Sequence, residues 1–188
     1  MALPFLWQER HHEGVPLSVI ESVQKKLREA SFFLSKMIEH ERLAFDNKEP
    51  FDFYLSAFLN AGRTVDYRLR HEHKAIYPDW RIGWNATLPQ AQQRLIKFMV
   101  DDRNLEVHSK GSSRVVKTED KELGPGTHSF ASGTMDVSGP PDVFPLAIIQ
   151  TPAYYFTIDG IEQKATEACR GYLALLQQMV AKFKAEHA

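Results

Sequence analysis

Apolar residues return every three or four positions through most of this chain, a period that helices satisfy and strands do not. Ile20, Val23, Leu27, Ala30, Leu34, Met37 and Ile38 form one wide stripe on a helix from about residue 18 to Phe45. Ser18 with Glu21 reads as a capping box at its start, where each side chain satisfies a backbone N–H of the first turn. After DNKEP, Pro50 suits a first helical position. Phe51, Tyr54, Leu55, Phe58, Leu59, Val65 and Leu69 then carry a second, strongly aromatic helix to about His73. Its polar face, Arg63, Asp66, Arg68 and Arg70, is mixed in charge. YPDWRIGWNAT reads as a loop, with Trp80 and Trp84 folded back onto the helices. Thr87 and Pro89 open a third helix whose apolar residues are Leu88, Leu95, Phe98 and Met99.

Beyond residue 108 the pattern changes. Residues 109–158 hold five of the ten prolines and five of the ten glycines. Short β-like runs lie among them, at Arg114–Thr118, Leu146–Gln150 and Tyr154–Ile158, separated by GPG and SGPPD. This predicts an inserted β-hairpin or small sheet with a mobile central loop from about Lys121 to Val143. Asp159 and Glu162 read as a second capping box, followed by a last amphipathic helix through Ile161, Ala165, Ala168, Cys169, Tyr172, Leu176, Met179, Val180 and Phe183. The expected fold is mainly α. A single domain spans 1–188, in which 17–108 and 159–188 make a four-helix bundle and 109–158 is a β-rich insert between helices 3 and 4.

Composition narrows the function classes. A chain of 188 residues, 43% hydrophobic and 25% charged, can bury a real core. Its 23 basic and 24 acidic residues leave a net charge of −1, so a polyanion would have to be met by a local basic patch. The single cysteine, Cys169, excludes an internal disulfide and a cysteine-built zinc site, and its place on the last apolar stripe predicts a buried, inert thiol. MALPFLWQERHH holds too short an apolar run for a signal peptide, and no membrane-spanning run follows. The expectation is a cytoplasmic protein. RHEHK at Arg70–Lys74 suggests a metal, but His71 and His73 diverge by about 160–200° round a helix, which favours a solvated face. His11 and His12 read as non-binding, and no cofactor or metal is expected. The Tyr154–Tyr155–Phe156 run offers rings for stacking on bases, although an aromatic strand covering the helices is the preferred reading.

The stretch DDRNLEVHSKG, Asp101 to Gly111, carries the chemistry. A helix that finishes in R-N-x-x-x-H, here Arg103, Asn104 and His108, resembles the HEPN superfamily. The aromatic run EPFDFYLSAFLNAGRTVDYRL ahead of a tryptophan-containing segment also resembles the second helix of uncharacterised bacterial members. The likeness covers residues 17–108, with the last helix as the fourth of the bundle; the β-rich insert departs from the family pattern. A second arginine–histidine pair at matching spacing, Arg68 and His73, lacks the asparagine.

The resemblance implies metal-independent RNA cleavage by a homodimer with paired motifs. His108 would act as general base on a 2′-hydroxyl and Arg103 would stabilise the phosphate as charge develops. Asn104 would orient the histidine or hold a phosphate oxygen, and a 2′,3′-cyclic phosphate would result. If the protein were a toxin, an antitoxin partner would be implied. A structural reading of the same residues stands beside this one. There Asn104 caps a short last helix, Asp101 or Asp102 pairs with Arg103, and the protein is a non-catalytic bundle that binds RNA or a protein partner.

Overall fold

A computed structural model describes residues 19–42, 48–108, 112–130, 133–139 and 147–187. It is mainly helical, with two small antiparallel sheets between the fourth and fifth helices. Helix α1 (Val19–Arg42) and helix α2 (Glu49–Glu72) are joined by six residues and pack along each other. Val23, Ala30, Leu34 and Met37 of α1 are buried against Phe51, Leu55, Phe58, Leu59, Val65 and Leu69 of α2, the two stripes read from the sequence. Ser18 and Phe45, which bound the expected first helix, lie outside the described residues, as do His11 and His12.

YPDWRIGWNAT is helix α3 (Tyr77–Thr87) and not a loop. Its proline and glycine suggest irregular structure, but Pro78 sits in the first turn, where a missing N–H costs nothing. Tyr77, Trp80 and Trp84 recur at helical spacing and turn inward together. Tyr77 and Trp80 meet the Phe183 ring at 5.3 and 4.9 Å, and Trp84 is buried. Helix α4 (Gln90–His108) follows after Leu88 and Pro89.

Strand β1 (Val115–Leu123) pairs antiparallel with strand β4 (Ala147–Ile158), Val115 opposite Tyr155 and Leu123 opposite Ala147. Between them strand β2 (Gly126–Phe130) and strand β3 (Gly133–Val137) make a separate hairpin. The segment read as a mobile loop therefore holds the end of β1 and a second ladder. The two runs expected at Leu146–Gln150 and Tyr154–Ile158 are, from Ala147 on, one strand despite Pro152; Leu146 lies outside the described residues. Strand β5 (Ile161–Lys164) reaches along β4 only from Tyr155 to Ile158, so at Pro152 that side of β4 is an edge, where a residue without N–H is tolerated.

Asp159 and Glu162 do not cap a helix. Asp159 has φ 53° and Gly160 φ 78°, so Asp-Gly is the two-residue loop of a tight hairpin between Ile158 and Ile161. Helix α5 (Ala165–His187) begins four residues later than expected, and Glu162 lies in β5. The β-rich part thus runs to Lys164, beyond the predicted limit of 158. Tyr154 and Phe156 of β4 are fully buried, Tyr154 stacked on Phe51 at 3.6 Å and Phe156 edge-on to Phe98 at 5.0 Å. They form an aromatic strand covering the helices. The Thr166 hydroxyl, in the first turn of α5, donates to Glu41 at 2.8 Å and ties α5 to the end of α1.

Candidate functional site

The last turns of α4 carry Arg103, Asn104 and His108. The helix continues unbroken through His108, so Asn104 is an interior helical residue and caps nothing; its side chain is exposed. The His108 side chain lies outside the described residues. Five residues on an α-helix turn the two positions Arg103 and His108 about 140° apart round the axis, whereas Asn104 and His108, four apart, share a face.

Arg103 is half-buried and reaches across to α2, where its Nε donates to Asn60 Oδ1 at 3.1 Å. Asn60 is itself oriented, because its Nδ2 donates to the Ser56 carbonyl at 3.0 Å, which turns the amide oxygen toward the arginine. Asp52, Ser56 and Asn60 follow at four-residue steps, one polar file along the first half of α2.

Asp101 and Asp102 do not neutralise Arg103. Asp101 pairs with Lys97, one turn earlier on α4. Asp102 is 3% exposed and accepts the Ser112 hydroxyl at 2.8 Å and the Ser113 N–H at 2.7 Å, which fixes the chain as it leaves the helix. Among the described residues Asn60, a neutral group, is the only partner of the Arg103 guanidinium, and its two Nη groups have none. The structural reading that paired Arg103 with Asp101 or Asp102 is therefore corrected: both carboxylates are occupied elsewhere.

A second arginine closes the α2 file. Arg114, at the entrance to β1, engages both Asp52 oxygens through Nε and Nη2 and stands over the Tyr154 ring at 5.4 Å. Burial pushes the Tyr154 phenol up to about 12, with Arg114 opposing the shift, so this hydroxyl stays protonated at neutral pH. Asp52, Asn60 and Arg114 were not singled out in the sequence, and Asp102 was read there only as a partner of Arg103. The spacing of Asp52, Ser56 and Asn60 was the available signal; the long-range partners left none.

The other sequence candidates fall elsewhere. His73 lies against the Phe183 ring at 4.9 Å, 73 being the position after the end of α2, while Arg68 is half-buried within that helix. His71 is exposed beside Glu72. Among the described residues no group of three or more His, Cys, Asp or Glu could hold a metal. Cys169 is fully buried, and burial raises its thiol well above the usual range, as expected for an inert core residue. No helix among the described residues is long and apolar enough to cross a membrane. No family model, curated protein or solved structure matches this chain.

Proposed function

We propose that this chain is a HEPN-like helical protein that cleaves RNA without a metal, using Arg103 and His108. The observation that carries the reading is the half-buried Arg103 guanidinium, held by Asn60 and met by no carboxylate among the described residues. A sheltered arginine whose only bond among the described residues is to a neutral amide has its Nη fork for an anion, and a phosphodiester fits that fork. His108 would take the 2′-hydroxyl proton, the 2′-oxygen would attack phosphorus, and the 5′-oxygen would leave with a proton from water. The products are a 2′,3′-cyclic phosphate and a 5′-hydroxyl. Asn104, on the His108 face of α4, would orient the histidine or bind a phosphate oxygen.

Because Arg103 and His108 diverge by about 140° on α4, one phosphate is most simply met by Arg103 of one chain and His108 of a second. A two-fold homodimer with its motifs near the axis supplies that arrangement. The same divergence favours a second reading, in which Arg103 and its neighbours bind RNA or a protein partner without catalysis. A cytoplasmic place and a toxin role with an antitoxin partner belong to the first reading as further expectations.

The test incubates the purified chain with mixed single-stranded RNAs in excess EDTA, beside Arg103→Ala and His108→Ala variants. Cyclic-phosphate ends, with each variant slower by about 10²–10⁴-fold and still folded, support the nuclease. Equimolar mixing of the two inactive variants should restore part of the activity if sites are shared between chains. RNA bound and left intact by the wild type selects the second reading.

A further inference from the structure

The near-neutral net charge hides a segregation of charge. A cavity of about 620 Å³ beside α1 and the three-stranded sheet is lined by Glu41, Glu119, Asp120 and Glu122 with Lys121 and Lys164. A second cavity, of about 390 Å³, lies between α2, α3 and α4 and has the opposite sign. Arg63, Arg70, Arg81 and Lys97 line it together with Asp66, and Asn85 and Gln93 add amides.

Asp66 organises the cations. Only 7% exposed, it accepts Arg63 Nη1 at 2.9 Å on Oδ2. Its Oδ1 accepts the Tyr77 hydroxyl at 2.8 Å and Arg81 Nε at 3.2 Å. Arg70 Nη2 stops at 3.7 Å, beyond a hydrogen bond. The Arg81 guanidinium is further fixed over the Trp84 ring at 4.8 Å, and its bond to Asp66 runs through Nε and does not use its Nη groups. Lys97 has Asp101 as its partner. Four cations line the cavity with one carboxylate, Asp66, and a second carboxylate outside the lining, Asp101, pairs with Lys97, which leaves a surplus of two positive charges.

A structural ion-pair network has no use for that surplus. Tyr77 and Arg81 satisfy one oxygen of the buried Asp66 carboxylate and Arg63 the other, so Arg70, beyond hydrogen-bond distance, adds repulsion that a bound anion would relieve. Two guanidinium groups fixed on Asp66, a third beside them, amides and a volume suited to a small ligand are the recognition chemistry of a phosphate group. We propose that the cavity between α2, α3 and α4 is a phosphate-binding site, with Arg63, Arg70 and Arg81 as its principal donors. It does not depend on the Arg103–His108 reading, since it uses none of those residues.

Two sources of phosphate fit, a free phosphoryl ligand or the backbone of a polynucleotide. The full chain would be titrated calorimetrically with inorganic phosphate and with pyrophosphate at low salt, beside Arg63→Ala/Arg70→Ala and an exposed control, Arg170→Ala. Wild type and control should bind, and the double variant should bind about tenfold or more weakly. Arg70→Ala alone, whose nearest carboxylate contact is the long one to Asp66, should fold normally and bind several-fold more weakly. A competition arm adds single-stranded RNA in the His108→Ala background, so that cleavage does not enter. Displacement of pyrophosphate by RNA supports the site with a polynucleotide as source; no displacement supports it with a free phosphoryl ligand. Failure of the wild type to bind either phosphate, or equal affinity in wild type and Arg70→Ala, overturns the proposal and leaves an ion-pair network.

Discussion

Asp66→Ala tests how far one carboxylate holds α2, α3 and α4 together. The substitution removes a charge-assisted bond from the Tyr77 hydroxyl and leaves that hydroxyl, in a fully buried ring, with only the weak acceptor Met179 Sδ at 3.4 Å, losses of about 1.5–3 and at most about 1–3 kcal/mol. The two arginine contacts add less, because Arg63 is 35% exposed, although Arg81 is only 15% exposed. These terms overlap, and the total expected is about 3–5 kcal/mol, the usual cost of breaking a buried charge arrangement from one side. For a chain of this size that lowers Tm by about 6–20 °C. Urea unfolding followed by circular dichroism, with a thermal scan beside it, measures both. Part of the loss is repulsion among the arginines left behind, so it should shrink between about 0.1 and 1 M NaCl as the screening length falls from about 10 to 3 Å. Tyr77→Phe introduced on top of Asp66→Ala should recover part of the stability, because the buried hydroxyl left with only the weak Met179 sulfur acceptor disappears with it. A loss below about 1 kcal/mol, or no recovery from Tyr77→Phe, would refute the assignment of Asp66 as the organiser.

Two further outcomes follow from buried groups elsewhere. Burial, the largest influence on Glu41, raises its carboxyl above the ordinary 4.5, so the stability linked to it is fully present below about pH 4.5 and is lost as pH rises through the folded-state value. Glu41→Gln, which keeps an oxygen for the Thr166 hydroxyl, should accordingly melt above wild type at neutral pH, with the gap closing on acidification below 4.5; a pH-independent gap would contradict the burial argument. Gly62→Ala and Gly83→Ala should shift stability in opposite directions in chemical denaturation. A Cβ at Gly62 would stand 2.9 Å from Tyr172 Cε1 and 3.3 Å from Leu176 Cδ1, overpacking that costs about 1–3 kcal/mol. At Gly83 it meets nothing within 4 Å and gains about 0.5–1 kcal/mol of helix preference; equal effects at the two sites would show that packing does not decide them.

The apolar period alone determined α1, α2, α4 and most of α5, because a helix repeats its face locally and the stripe must be buried whatever packs on it. It also indicated that Cys169 is a core thiol; the Tyr154–Tyr155–Phe156 run read as an aromatic strand covering the helices, and the fold decided that Tyr154 and Phe156 are its fully buried rings. Local signals with two readings were settled by tertiary contacts. Ser, Asp and Glu spacings suit a capping box wherever they occur, yet at Asp159 the pairing of Ile158 with Ile161 commits the chain to a hairpin turn with positive φ. Pro78 and Gly83 read as loop until Phe183, about a hundred residues away, gives Tyr77 and Trp80 a surface to pack against. The candidate sites divide in the same way. The motif Arg103, Asn104, His108 is legible as letters, but its charge state depends on where Asp101 and Asp102 turn, and those partners lie on Lys97, Ser112 and Ser113. The arginines of α2 looked like an ordinary solvated face. Only the approach of α3 and α4 brings Arg81 and Lys97 to them round one carboxylate, since electrostatic surplus is a property of three-dimensional proximity and not of order along the chain.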